Sequence, residues 1–315
     1  MRSRFADAVR GLALMAAALA VAPGATGQSV NVGKTGTAGQ TTYAAPAAHP
    51  FRTSLQPILD RLTLEAALFE QVAQQVTGQE IIRQRAMKPP PKFKPRIGEA
   101  AKKPPQGEWR DREIISLYGI SLIGHSLHEI RQVLSVDGKT VQGEQRAQQT
   151  LARLLTASGE QQKFAALKQL EKYTLSGAAT DFGPLLLLFA HGGAERYEFT
   201  AIGPRLLGVV PASVYHFRQL DGAEGLTVFN GLTQQLPLEG DLWMSDDPQG
   251  PIRITLASVL PGSDPPIHYE AEVDYTRSPL GALLPSQVEQ REVRGEEITS
   301  ENIFDYSNFQ RLAGR

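Results

Sequence analysis

From Phe51 onward, apolar residues recur at Leu55, Ile58, Leu59, Leu62, Ala66, Phe69, Val72, Ala73 and Val76. Steps of three and four lay them along one side of a helix, so the segment predicts an amphipathic helix with a core to cover. Directly after it, "GQEIIRQRAMK" switches to alternating, β-branched character and predicts a strand. "DREIISLYGISLIG" and "HEIRQVLSVDGKTV" predict a long antiparallel pair, and Asp137-Gly138 offers the positive-φ positions that a tight turn needs. Ala147, Leu151, Leu154 and Leu155 then return to helical spacing. Ser158 with Gln161 has the form of a capping box before Phe164, Leu167, Leu170 and Leu175.

Past Gly183-Pro184, "LLLLFAHGG" is a buried run whose periodicity fits no single element. Beyond it lie "RYEFTAIG", "ASVYHFRQL", "LTVFNG", "LEGDLWMSD", "PIRITLASV", "IHYEAEVDYT", "LLPSQVEQREV" and "EITSENIFDYSNF", a succession of strands at meander spacing. Turn signals separate them at Pro211, Asp221-Gly222, Asp246 to Pro248, Gly250-Pro251, Gly262 to Pro266 and Pro279 to Gly281. "YEAEVDY" and "SQVEQREV" put acidic and polar side chains on one face and Ala, Val and Tyr on the other, which predicts one wet face and one covered face. The fold class read from this order is α+β: a curved antiparallel sheet, or unclosed barrel, wrapped around or capped by helices. Residues 51–315 form one domain in this reading, and the closing "ENIFDYSNFQRLAGR" is its last strand.

The start of the chain is different. Arg2, Arg4 and Arg10 precede an apolar run from Leu12 to Val21 and then Ala25-Thr26-Gly27, the layout of a signal peptide over residues 1–27 cleaved between Gly27 and Gln28. The run falls short of the roughly 20 residues a membrane-spanning helix needs. Residues 28–50 carry almost no bulky apolar side chain and read as a disordered leader. "GKTGTAG" within it lacks the four-residue spacing between glycines of a phosphate loop. Cysteine is absent, which removes a lipid-attachment residue, a disulfide framework and a thiol nucleophile together. The expected location is therefore periplasmic or extracellular, and the chain is not a lipoprotein. With 32 Lys+Arg against 33 Asp+Glu, no net field recruits nucleic acid.

Residues 88–107, "KPPPKFKPRIGEAAKKPPQG", form a basic, proline-rich loop. It reads either as a solvated connection or as an arm for an acidic partner or lipid headgroup. Among the histidines only His125 and His128 are clustered, and on a strand their spacing points them to opposite faces, so no shared metal is expected and the pair reads as turn-exposed. No nucleophile elbow or zinc-protease motif occurs. No catalytic residue, metal ligand or cofactor is assigned. The aromatic residues Tyr197, Phe199, Tyr215, Phe217, Phe229, Trp243, Tyr269 and Tyr275 fall on predicted strands. They either fill the layer between sheet and helices or line an apolar cavity; the candidate lining residues are Tyr197, Phe199, Tyr215, Phe217, Phe229 and Trp243.

Val136-Asp137-Gly138-Lys139, the group Gly240, Trp243, Gly250 and Ile252-Arg253, and the closing Tyr306 to Leu312 together resemble a family of uncharacterised secreted bacterial proteins. Gln132 departs from it, since relatives tend to place Asp after the Arg. The hairpin and closing strand also resemble the LolA/LolB type of lipoprotein carrier, which implies an unclosed antiparallel barrel capped by helices over an apolar cavity. The expected function is a non-enzymatic exported protein binding a lipid, acyl chain or other apolar group in a concave sheet. The alternatives are a cell-envelope interaction or scaffold protein with a filled core, whose partner is an envelope protein, and a hydrolase with a dispersed triad.

Overall fold

The structure, a computed structural model, describes residues 14–15, 50–88, 107–124, 126–157, 159–175, 182–220, 226–229, 233–246, 249–260 and 262–312. Of the signal peptide only Leu14–Met15 is described, as a two-residue strand paired with Thr227 and Val228; its Gly27–Gln28 junction, the leader up to residue 49 and residues 89–106 of the basic loop lie outside the described residues, as do His125 and Ser158.

The apolar stripe forms helix α1 (Pro50–Ala73), with Leu62, Ala66, Phe69 and Ala73 fully buried along one side. Val76, the last residue of the predicted stripe, instead opens strand β1 (Val76–Lys88). There follow β2 (Glu108–Ile123), β3 (Ser126–Val136), the two-residue β4 (Lys139–Thr140), α2 (Glu144–Thr156) and α3 (Glu160–Leu170). Asp137 and Gly138 both adopt positive φ in the β3–β4 turn. The leucine run resolves into a 3-10 helix, Gly183–Phe189, and a second one spans Gly193–Arg196. The remaining strands are β5 (Tyr197–Leu207), β6 (Val210–Gln219), a small hairpin of β7 (Leu226–Phe229) and β8 (Thr233–Leu236), then β9 (Glu239–Asp246), β10 (Gln249–Leu260), β11 (Ile267–Arg277), β12 (Leu283–Arg294) and β13 (Glu297–Arg311).

Eleven strands make one curved, antiparallel, unclosed sheet in the order β4-β3-β2-β1-β13-β12-β11-β10-β9-β6-β5. The chain builds one flank with β1 to β4, leaves through the helices, re-enters at the opposite edge and meanders back until β13 docks against β1. A single row of paired positions shows why it holds. Ala201, Tyr215, Leu242, Ile254, Val273, Val288, Phe304, Ile82, Ile114 and Val136 pair in turn across ten strands, and all are apolar or aromatic. Because side chains alternate between faces, this row fixes an inner face for the whole sheet.

On that inner face sits α1, packed against the Gly183–Phe189 helix and against β2, β10 and β12. It is anchored electrostatically as well: fully buried Glu65 accepts from Arg277 Nη1 and Nη2, both at 2.8 Å, and pairs with Arg61 at 2.5 Å. Helices α2 and α3 lie on the outer face of β2 and β3 instead, in a second core of Ile123, Ile130, Leu151, Leu154, Leu155, Ala166 and Leu312. Gly119 permits this contact, since a Cβ there would meet Leu155 Cδ1 at 2.8 Å. With helices on both sides, β3 is buried on both faces and loses the simple alternation of a half-wet strand.

Several local expectations are corrected. Gly250-Pro251, expected as a turn, instead pairs within β10 opposite Ser245 and Met244. Pro211 is no turn residue but lies inside β6, beyond Ser213, the last β6 residue paired with β9. There its missing N–H costs no ladder bond on that side. Helix α3 begins after Gly159 without a side-chain cap.

Candidate binding face

The inner face carries two features, an aromatic corner and a buried charge cluster. The corner forms where β5 and β6 meet the 3-10 helix. Phe199 pairs directly with Phe217, and Tyr197 starts the same strand. Phe189 adds a ring from the leucine run, with centroids 5.6 Å from Tyr197, 6.0 Å from Phe199 and 5.3 Å from Phe217. Tyr197 and Phe217 are buried, whereas Phe199 and Tyr215 are half-buried and packed against the same core. Burial pushes the Tyr197 phenol up to about 12, slightly offset by Arg196.

The structure thus brings together Tyr197, Phe199, Tyr215 and Phe217 of the residues singled out in the sequence. Trp243 goes elsewhere. Its neighbours Leu242 and Met244 point into the core, so alternation sends the half-buried indole to the outer face, opposite Arg253. Its Nε1 is enclosed without a hydrogen-bond partner. Phe229 has its backbone in β7, and its side chain is outside the described residues.

The charge cluster lies on β1, β2 and β3, facing the 3-10 helix. Arg131 Nε and Nη2 each donate to Glu80 at 2.7 Å, and Nη2 also donates to Glu129 at 2.7 Å. Ser116 Oγ donates to Glu80 at 3.0 Å. Tyr118 and Tyr306 direct their hydroxyls at Glu129 at 2.9 and 3.4 Å, and the Gly183 amide donates to it at 3.2 Å. All three charged residues are at most 3% exposed, so two carboxylates and one guanidinium are held out of water by surrounding donors.

Burial and the facing Glu129 hold the Tyr118 phenol well above its ordinary value; Tyr306 is raised by burial, Glu129 and Glu80. Burial opposes the charge on Arg131, but Glu80 and Glu129 outweigh it and raise its pKa further. Tyr275 completes the attachment of the 3-10 helix. Its hydroxyl donates to the Gly183 carbonyl at 3.2 Å and accepts the Leu186 amide at 3.0 Å. Chemically this cluster grips. Its carboxylates already accept several donors each and are sealed from substrate.

Sequence reasoning missed Glu80, Glu129 and Arg131. The available signal was parity: Glu80 shares its strand face with Val76, Ile82 and Ala86, all buried. Gln132, where an acidic residue was expected from relatives, lies on the other face of β3 and is buried. Its Oε1 accepts Gln142 Nε2 at 3.4 Å, a neutral pairing in place of a charge.

His128 is 5% exposed within β3, so the expectation of a turn-exposed residue is corrected. Among the described residues no group of three or more potential ligands is placed to hold a metal. His216 Nδ1 lies 2.9 Å from Asp241 Oδ1, a pairing that orients a general base in hydrolases. Both side chains stand on the outer face, and no hydroxyl hydrogen-bonds to the His216 ring among the described residues. An open surface hollow of about 460 Å³ is lined largely by charged side chains, including Arg83, Arg85, Asp111, Arg112 and Asp137. No helix among the described residues is long and apolar enough to cross a membrane.

No family model and no curated protein matches the chain. Among solved structures it is similar to a DUF1329 family protein from Desulfovibrio piger, with 10% identity and a TM-score of 0.35 over 82% of this chain and 95% of that one. It is also similar to a domain from Vibrio parahaemolyticus described as of the outer membrane lipoprotein-sorting type, with 8% identity and a TM-score of 0.33 over 80% and 93% of the two chains. A structure of the Pseudomonas aeruginosa MucA/MucB complex aligns at 10% identity and a TM-score of 0.20, over 82% of this chain and 100% of the other.

Proposed function

We propose that the chain is a non-enzymatic protein of the bacterial cell envelope that works by docking onto a partner surface, with its inner face filled by its own helices. The observation that carries this reading is the occupation of that face: Leu62 and Phe69 of α1, Leu186 and Phe189 of the 3-10 helix, and Phe217 and Phe304 of the sheet are all at most 1% exposed. A face packed to that degree resembles a protein interior. The N-terminal signal pattern supports export.

The second reading is a binder of a lipid or other apolar group, lined by Tyr197, Phe199, Tyr215, Phe217, Phe229 and Trp243. It is favoured by one observation, the partial exposure of Phe199 and Tyr215 beside the buried rings. Native mass spectrometry of protein purified from its own envelope, with lipid extraction and fluorescent fatty acid titration, separates the two. Bare protein with no uptake supports docking. A bound apolar molecule overturns it in favour of the second reading.

A further inference from the structure

The β5–β6 hairpin ends in an apolar wedge. Leu206 pairs with Pro211 and Leu207 with Val210, and Gly208, at φ 60°, begins the turn that puts Val209 at the tip. Val209 is 92% exposed and Leu206 68%. A turn that needs only one positive-φ glycine could place any polar residue at its second position, yet here it carries valine. Pairing of β6 with its inner neighbour β9 ends at Ser213. Residues 205–211 therefore extend beyond that pairing as a two-stranded finger, with buried Ala212 at its base.

Three properties define what covers this finger. First, the apolar side chains lie on both of its faces and at its tip, with Leu206 on one side of the pleat and Leu207 on the other. A protein groove contacts one side of a hairpin; a fluid apolar medium accepts all of them. Second, the edge itself is blunted against strand addition by the irregularity at Ala201–Gly203 and by Pro204. Third, no Asp or Glu occurs between Phe199 and Leu220, and Arg205, exposed one step behind Leu206, makes no ion pair among the described residues. An acid-free apolar tip backed by a guanidinium is complementary to a surface of anionic headgroups over hydrocarbon.

From this we infer that the tip of the β5–β6 hairpin, Leu206 to Pro211 with Arg205 behind it, docks on an anionic lipid bilayer surface. The inference rests on the docking reading above and names its partner.

Co-sedimentation of the full chain with phosphatidylethanolamine–phosphatidylglycerol vesicles, compared with phosphatidylcholine vesicles, tests it. The wild type sediments with the anionic vesicles, and added salt weakens the association. Leu206→Ser with Val209→Ser lowers vesicle partitioning about tenfold or more, while far-UV circular dichroism and the thermal midpoint stay unchanged because both side chains face solvent. Arg205→Gln lowers binding to the anionic vesicles several-fold and leaves phosphatidylcholine unaffected. Equal sedimentation of the double variant overturns the assignment. So does a concentration-dependent dimer that the double variant abolishes without vesicle binding, which would make a second copy the occupant. These results leave the fatty acid titration untouched, so failure of the lipid assignment is distinguishable from failure of the docking reading.

Discussion

Gly183 gives its amide to Glu129 at 3.2 Å, and a side-chain carbon at the same residue would collide with the accepting oxygen. Glycine is thus required by a carboxylate that reaches it across 54 positions of sequence. Gly183→Ala is expected to destabilise the fold by about 1–3 kcal/mol through overpacking. Gly143→Ala, where nothing lies within 4 Å of the added carbon, serves as the control without overpacking, its loss limited to the roughly 0.5–1 kcal/mol of a poorer N-cap on α2. Urea denaturation midpoints compare the two.

Arg131→Met leaves Glu80 and Glu129 buried without their shared cation. The expected loss is roughly 3–5 kcal/mol, read as a lower urea midpoint at unchanged slope. Adding Glu80→Gln and Glu129→Gln to the same chain recovers part of that loss, because the uncompensated charges are gone. A triple variant no better than the single one would show that geometry rather than charge holds the cluster.

Alkaline stability reports on Tyr197. Its phenol ionises near 10.0 when unfolded and at about 12 when folded, so the folded state holds the proton more tightly. The contribution is complete below pH 10 and is lost as pH rises toward 12. Between pH 10 and 11 the wild type should lose about 1 kcal/mol more than Tyr197→Phe, measured by urea titration at each pH.

Trp243→Phe should be tolerated within about 1 kcal/mol, because the indole is half-buried on the outer face and its enclosed N–H has no acceptor to lose. Thermal unfolding followed by circular dichroism provides the comparison. A loss of several kcal/mol would place the indole in the core after all.

Removing residues from Glu301 onward deletes the pairing of β13 with both β1 and β12 over that stretch, together with Phe304 and the Leu312 amide that donates to the Gln75 carbonyl at 2.7 Å. The shortened chain should show no cooperative thermal transition by circular dichroism.

Much of this architecture could be read locally. The stripe from Leu55 to Ala73 specifies α1, and Ala147, Leu151, Leu154 and Leu155 are the buried set of α2. Alternation in residues 267–294 distinguishes wet from covered faces because those strands have helices on one side only. The method fails where a partner comes from far away. β3 hides its period because α2 and α3 cover its second face, and Glu80 is an acceptable inward residue only once Arg131 stands beside it. The leucine run has no period to read, and its place on the sheet is fixed by distant partners, Glu129 and Tyr275, which bond Gly183 and Leu186. The aromatic corner was legible as residue types on strands, but Phe189, which joins its rings, lay in that unreadable run.

The meeting of β1 and β13 has a kinetic consequence. Arg83 pairs with Ile303, so β1 waits for a strand that follows it by most of the domain. Until then it exposes one unsatisfied edge, and long-range pairing of this kind makes folding slow.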